Sequence, residues 1–365
     1  MPRSASGDAF ELHEAISVNS IYRYPDGMWP NTLALAATLL MYPLGWALMV
    51  QSAWTLNALG FVLMVLSLTW SAYFIHEFAH HAIFKKPEAN ARWGTLMSWL
   101  NGSCFAGFDN MRRKHMRHHV ERADVITFDA KGFLLASPAW FRNTVLALEW
   151  AYFPAVEFLM RGFVIAMPFQ KRAKPSATMS VAALRLRIVA IAVVRVSALA
   201  LLAWYSLKGF VLYCLAVLVF ITLLRFADCF QHTYEAYPIL DDTPLPKELI
   251  KDRAYEQANT YSDVIGIEST GLPGVLNMLW LNFGFHNAHH ERPTLPWYKL
   301  PAFHRELYPA DYAQVITVRE LLKSFHTNRV KRILADNYGE VSAGGVPGRA
   351  DRFLGAVGVS FLTAV

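Results

Sequence analysis

The chain has 365 residues, 54% hydrophobic and only 17% charged, a balance that excludes a disordered chain and a coiled coil. Three cysteines (Cys104, Cys214 and Cys229) cannot supply the disulfide framework of a small secreted fold. The net charge is +6, yet the chain carries no basic nucleic-acid-binding module, so nucleic acid is not expected as a partner.

In chain order, residues 1–30 carry Asp8, Glu11 and Glu14 and lack the pattern of a cleaved leader, so the first apolar run is expected to be retained. Asn31 to Gln51 and Asn57 to Ile75 contain no charged residue. Ile188 to Ser206 contains only Arg195, and Gly209 to Leu224 is uncharged up to Arg225. Each run approaches the ~20 residues that a helix needs to cross ~30 Å of hydrocarbon. The sequence therefore predicts an all-α integral membrane protein with four transmembrane helices, paired as two hairpins by short loops.

Lys and Arg set the expected orientation. Sixteen lie between the second and third runs and thirteen after the fourth, against none in the first hairpin loop and one, Lys208, in the second. Positive-inside bias then puts both termini and both long segments in the cytosol. Between Pro138 and Phe169, Arg142, Glu149, Glu157 and Arg161 fall within a stripe of about 120° at helical period. That pattern suits an interfacial helix bent near Pro154, and Leu272 to Phe285 suits a second interfacial segment. Trp297 and Tyr298 are expected as interfacial anchors. The tail from Gly339 is rich in small residues and is expected to be poorly ordered.

Ten of the 13 histidines fall in four clusters. These are His76-Glu77-Phe78-Ala79-His80-His81, His115-Met116-Arg117-His118-His119, His232 after Gln231, and His286-Asn287-Ala288-His289-His290. Positions i, i+3 and i+4 share one helix face, so each cluster can aim two or three imidazoles at one point. The clusters at residues 76 and 232 follow spans that return to the same side of the membrane. Imidazole-rich sites suit zinc, copper, iron or nickel rather than magnesium or calcium. Nine or ten ligands exceed the need of one ion and fit two. His76-Glu77-Phe78-Ala79-His80 also matches the zinc-protease pattern, which would leave seven clustered histidines without a use. A metal transporter would place such residues in mid-membrane, whereas these lie past the span ends.

These residues, in order, spacing and topology, resemble the membrane-bound fatty acid desaturase superfamily of integral-membrane di-iron oxidases. The likeness runs from His76 to His290, more than half of the chain. It implies His76, His80, His115, His118, His119, His232, His286, His289 and His290 as metal ligands, in a cytosolic helical cap that holds two iron ions. Residues 31–338 would form this desaturase-like membrane domain. His81, beside a ligand, is expected to be structural. Asp228 stands where acyl-CoA desaturases hold an Asn that reaches a metal through water. It is a candidate catalytic residue, or else pairs with Arg225 or orients an imidazole.

The resemblance further implies O2 as co-substrate and oxidation of a fatty acyl chain drawn from the bilayer, with desaturation as the leading outcome. Oxidative decarboxylation of a free fatty acid to a terminal alkene, or hydroxylation, would use the same oxidant. No dinucleotide fingerprint and no haem motif is present, so electrons are expected from a separate ferredoxin or cytochrome with its reductase. Arg112, Arg113, Lys114 and Arg117 are candidates for steering such a donor, with the positive-inside bias and lipid headgroups as the plainer reading. Arg195 is a candidate for holding a substrate carboxylate. Cys229 is expected to pack. His13, His304 and His326 are expected at the surface.

Overall fold

The computed structural model describes residues 20–171, 173–175, 179–238, 244–266, 271–312, 314–339 and 352–363. Helix α1 (Met28–Met49) and α2 (Trp54–Ala79) pack along each other. Gly45 and Gly60 permit this: a Cβ on Gly60 would lie 2.8 Å from the Gly45 carbonyl and the Met49 amide. The Asn57 side-chain amide donates to the carbonyls of Leu48, Met49 and Gln51 at 2.9–3.1 Å, satisfying the end of α1. Ser67 donates to the Thr38 carbonyl across the same buried interface. Helix α2 continues past the apolar run, so His76 lies in its last turn, and His81 at φ 53° ends it.

Helix α3 (Pro87–Asn101) stops at Gly102. Helix α4 (Phe108–Glu121) starts after Gly107 at φ +80° and carries His115, His118 and His119. Strand β1 (Asp124–Ile126) follows, then α5 (Ala130–Ala136), α6 (Ala139–Trp150) and α7 (Ala155–Ala166). The stretch expected as one helix bent near Pro154 is thus broken into two. Glu149 joins them: one of its oxygens accepts from the Val156 amide (2.8 Å) and the other from Arg225 (2.7 Å). Glu149 and Glu157 are buried, so the charged stripe faces protein.

Helices α8 (Val181–Tyr205) and α9 (Leu207–Cys229) bring to four, among the described residues, the helices long and apolar enough to cross a membrane. Ser206 caps α9, and Lys208 reaches Asn57 Oδ1 at 2.8 Å, tying the α8–α9 connection to the α1–α2 connection. Arg195 lies well inside α8 and donates to the Trp99 carbonyl (2.7 Å). That contact gives Arg195 a partner in α3, and Arg195 does not line the cavity beside the histidines.

Strand β2 (Ala236–Pro238) pairs in parallel with β1. Helix α10 (Arg253–Ala258), β3 (Ser262–Val264), α11 (Gly271–Asn277), α12 (His286–Glu291) and α13 (Leu300–Leu307) follow. Strand β4 (Val315–Thr317) pairs in parallel with β3 and leads into α14 (Val318–Asn328), opened by a Thr317–Glu320 capping box, and then α15 (Lys331–Leu334).

Three surface expectations are corrected. Trp297 is buried, its amide on Glu77 and its indole N–H on Asn31, because the ring fills the gap between α1 and α2 rather than facing lipid. His304 is buried beside Phe285 and Tyr308. The described part of the tail, 352–363, is packed: Phe353, Leu354, Phe361 and Leu362 are all buried. Residues 1–19, 340–351 and 364–365 lie outside the described residues, and His13 with them. His326 is exposed.

Candidate metal centre

Four elements deliver the histidines to one place. The last turn of α2 brings His76, and His80 lies just past it. One face of α4 brings His115, His118 and His119. The six-residue α12 brings His286, His289 and His290, all buried. His232 was expected to follow the fourth span, and α9 stops three residues before it, at Cys229. His232 is held by an antiparallel bridge to Thr260, flanked by hydrogen bonds from the Thr233 and Tyr261 amides to Asn259 and Gln231. Tyr234 stacks on its ring at 4.1 Å.

The nine imidazoles divide into two groups. His76, His80, His115, His119 and His289 form one, and His118, His232, His286 and His290 the other. Within the first, Nε2 atoms face each other: His76–His289 at 3.1 Å, His289–His119 and His119–His115 at 3.2 Å, and His80–His115 at 2.6 Å. In the second, His232 Nε2 lies 3.0 Å from that of His118 and 2.8 Å from that of His286. His290 Nε2 has no hydrogen-bond partner among the described residues.

Two such nitrogens can pair where one ring carries its proton on Nε2, whereas one cation among them satisfies all of the lone pairs together. Metal–imidazole bonds of about 2.1 Å put neighbouring ligands about 3 Å apart around one ion, so the spacing in both groups fits a transition metal. Protonation could not substitute for it. Burial holds His80, His115, His119, His232, His286 and His290 well below the usual imidazole range, and His289 at about 3. Neutral rings are the form that binds metal.

Carboxylates that no motif announced orient the second group. His290 Nδ1 donates to Glu256 (2.9 Å), and His118 Nδ1 faces the Ala123 carbonyl (3.2 Å) and Asp124 (3.3 Å). His232 Nδ1 lies 3.4 Å from Thr260 Oγ1. Such partners fix which ring nitrogen is free for a metal. Glu256 also stands near His119 and His290 as a possible ligand. Its oxygens are taken up by His290, Arg122 (2.8 Å) and Arg253 (2.7 Å), so orientation is its use.

His81 belongs to neither group. Glu77 accepts from the Trp297 amide through Oε2 (3.0 Å), and its Oε1 lies 3.6 Å from His76 Nδ1. Asp228 does not pair with Arg225, which is bound to Glu149. It lines a cavity of about 50 Å³ together with Lys114, His115, His118, His232 and His286. Lys114 is buried and donates to the Ser360 carbonyl (2.8 Å), and burial lowers its amine to about 8. Arg112 donates to the Ala79 carbonyl and Arg117 pairs with Glu121, so these basic residues are built into the fold. Cys229 is buried against Arg332, as packing requires.

A far larger cavity, about 1,020 Å³, opens among α3, the start of α4, the end of α7 and the start of α8. Trp99 and Phe108 contribute apolar wall, and Arg92, Arg113, Lys174 and Arg187 contribute cations.

No curated protein sequence matches the chain. The family model for fatty acid desaturase matches residues 52–321, which take in all ten clustered histidines. That match spans most of the chain, and the protein belongs to the fatty acid desaturase family, a family of oxidoreductases.

Proposed function

We propose that the protein is a non-haem di-iron enzyme that uses O2 to oxidise a fatty acyl chain, with desaturation as the outcome. The observation that carries this reading is the division of nine imidazoles, seven buried and two half-buried, into groups of five and four. His76, His80, His115, His119 and His289 would hold one iron, and His118, His232, His286 and His290 the other. Iron bound there supplies what no side chain can, the reduction of O2 and the removal of hydrogen from an unactivated C–H bond.

The chain's own residues would bind and exclude. The large cavity joins apolar wall to four cations, Arg92, Arg113, Lys174 and Arg187, against one acid, Asp109, and so suits an amphiphile with an anionic head. The small cavity beside the histidines excludes bulk water and presents Asp228, whose Oδ2 is buried without a hydrogen-bond partner among the described residues. Asp228 would hold a proton or a water beside the reacting oxygen. Both termini would face the cytosol, and a separate ferredoxin or cytochrome would deliver electrons.

Lys114 supports a second reading, oxidative decarboxylation of a free fatty acid. It is a buried cation on the wall of the same small cavity, where a carboxylate could rest. Product analysis by gas chromatography–mass spectrometry, on lipids and headspace of expressing cells, separates the two. Desaturation yields an acid of unchanged carbon number with a new double bond, and decarboxylation yields a volatile alkene one carbon shorter. Purified protein with one tight zinc and no iron would overturn both.

A further inference from the structure

The segment 352–363 runs from the α9 end of the molecule to the histidines. Its path is fixed at several points. Ser324 donates to the Phe353 carbonyl, the Gly355 amide to Tyr338 (3.1 Å), the Ala356 amide to Cys229 (2.8 Å) and Lys114 to the Ser360 carbonyl (2.8 Å). Gly355 at φ +88° passes so close to Cys229 and Phe230 that a Cβ would lie 3.1 Å from both. Beyond Ser360 the turn Phe361–Thr363 packs against α4 and α7.

This turn borders one space and packs on helices that border another. Val359 and Phe361 line the 50 Å³ cavity with His115, His118, His232 and His286. The Phe361 ring is 5.2 Å from that of His115 and 6.1 Å from that of His76. Helices α4 and α7, against which the turn packs, line the large cavity through Phe108 and Val164. A space of about 50 Å³ holds little more than a water or two. An acyl chain that reaches past the histidines in this small space would therefore need room that the Phe361 ring fills.

We propose that Phe361 is a specificity-determining residue, whose bulk sets how far an acyl chain reaches beside the metal centre. The proposal rests on the acyl-oxidation reading above. Pinning at Phe353, Gly355, Ala356 and Ser360 makes the backbone a fixed wall, and leaves the size of side chain 361 as the variable.

The test measures displacement of a fluorescent fatty acid from the purified full-length protein by saturated fatty acids of increasing length. It needs no turnover. Phe361→Ala should extend the longest tightly bound chain by about two methylenes, the order of volume that the ring vacates, and Phe361→Trp should shorten it. Any double bond formed should move by a similar step. Should Phe361→Ala fail to fold, Phe361→Leu carries the same prediction with a shift of about one methylene. Variants that keep wild-type metal content and an unchanged length profile overturn the role of Phe361 alone. A wild-type protein that binds no fatty acid overturns the acyl reading as well.

Discussion

His290 and Glu256 lie 34 residues apart in sequence and 2.9 Å apart in space, Nδ1 to Oε1, with both side chains buried. The carboxylate also takes Arg122 and Arg253, so one acid holds a ligand ring and two cations in register. Glu256→Ala should weaken metal at the four-histidine group by about 10–100-fold, the usual cost of losing such a partner. Glu256→Gln, which keeps an acceptor, should weaken it less. Metal content after dialysis against a graded chelator series reads the difference, and equal retention in both variants would leave Glu256 without this role.

The two groups should part under single substitutions. His289→Ala removes a proposed ligand of the five-histidine group and His118→Ala one of the four-histidine group. Each should abolish oxidation and lower bound metal from about two ions toward one. Metal analysis of both purified variants checks this, and loss of neither ion in either would sink the two-group assignment.

Asp228 is the proposed acid beside the reacting oxygen, and it stands outside both histidine groups. Asp228→Ala should keep metal content while lowering kcat by about 10²-fold or more, the range of a lost proton-transfer group. KM for the acyl substrate should change little. Loss of metal instead would show Asp228 acting through the ligands.

His304 offers a test independent of the metals. Neither ring nitrogen has a hydrogen-bond partner among the described residues, and burial holds the imidazole at about 4. An unfolded histidine takes its proton near 6.5, so the unfolded chain binds more protons between these values. The contribution of His304 to stability is therefore complete above about pH 6.5 and is lost as pH falls toward 4. His304→Leu should flatten part of that fall in the melting temperature measured across this range. A wild-type and variant pair with parallel pH profiles would contradict it.

What could be read from the sequence follows from what side chains announce. His76, His115 and His286 each have a partner four residues on, a spacing that only a helix face explains, and the apolar runs around Met64 and Phe220 are long enough to need a membrane. Helix ends were less legible. Arg185 and Arg187 lie inside α8, because a span can run past the apolar run that marks it. Glu256 and Asp124 could not be found by motif, since one sits on a six-residue helix and the other on a three-residue strand, each brought to its histidine by tertiary packing. Trp297 looked like an interfacial anchor because its polar partners, Glu77 and Asn31, are far away in sequence. The tail misled for a related reason. Gly355 and Gly358 resemble disorder in composition, yet each adopts a left-handed conformation that lets the segment thread a crowded passage.

The placement of that segment also orders events during synthesis. All nine histidines are translated before Phe353–Leu362, which packs over two of their rings. At about 5–20 residues per second, several seconds separate His290 from Phe361 on the ribosome. For that interval the nascent chain carries its imidazoles without the Phe361 ring that later packs beside His76 and His115.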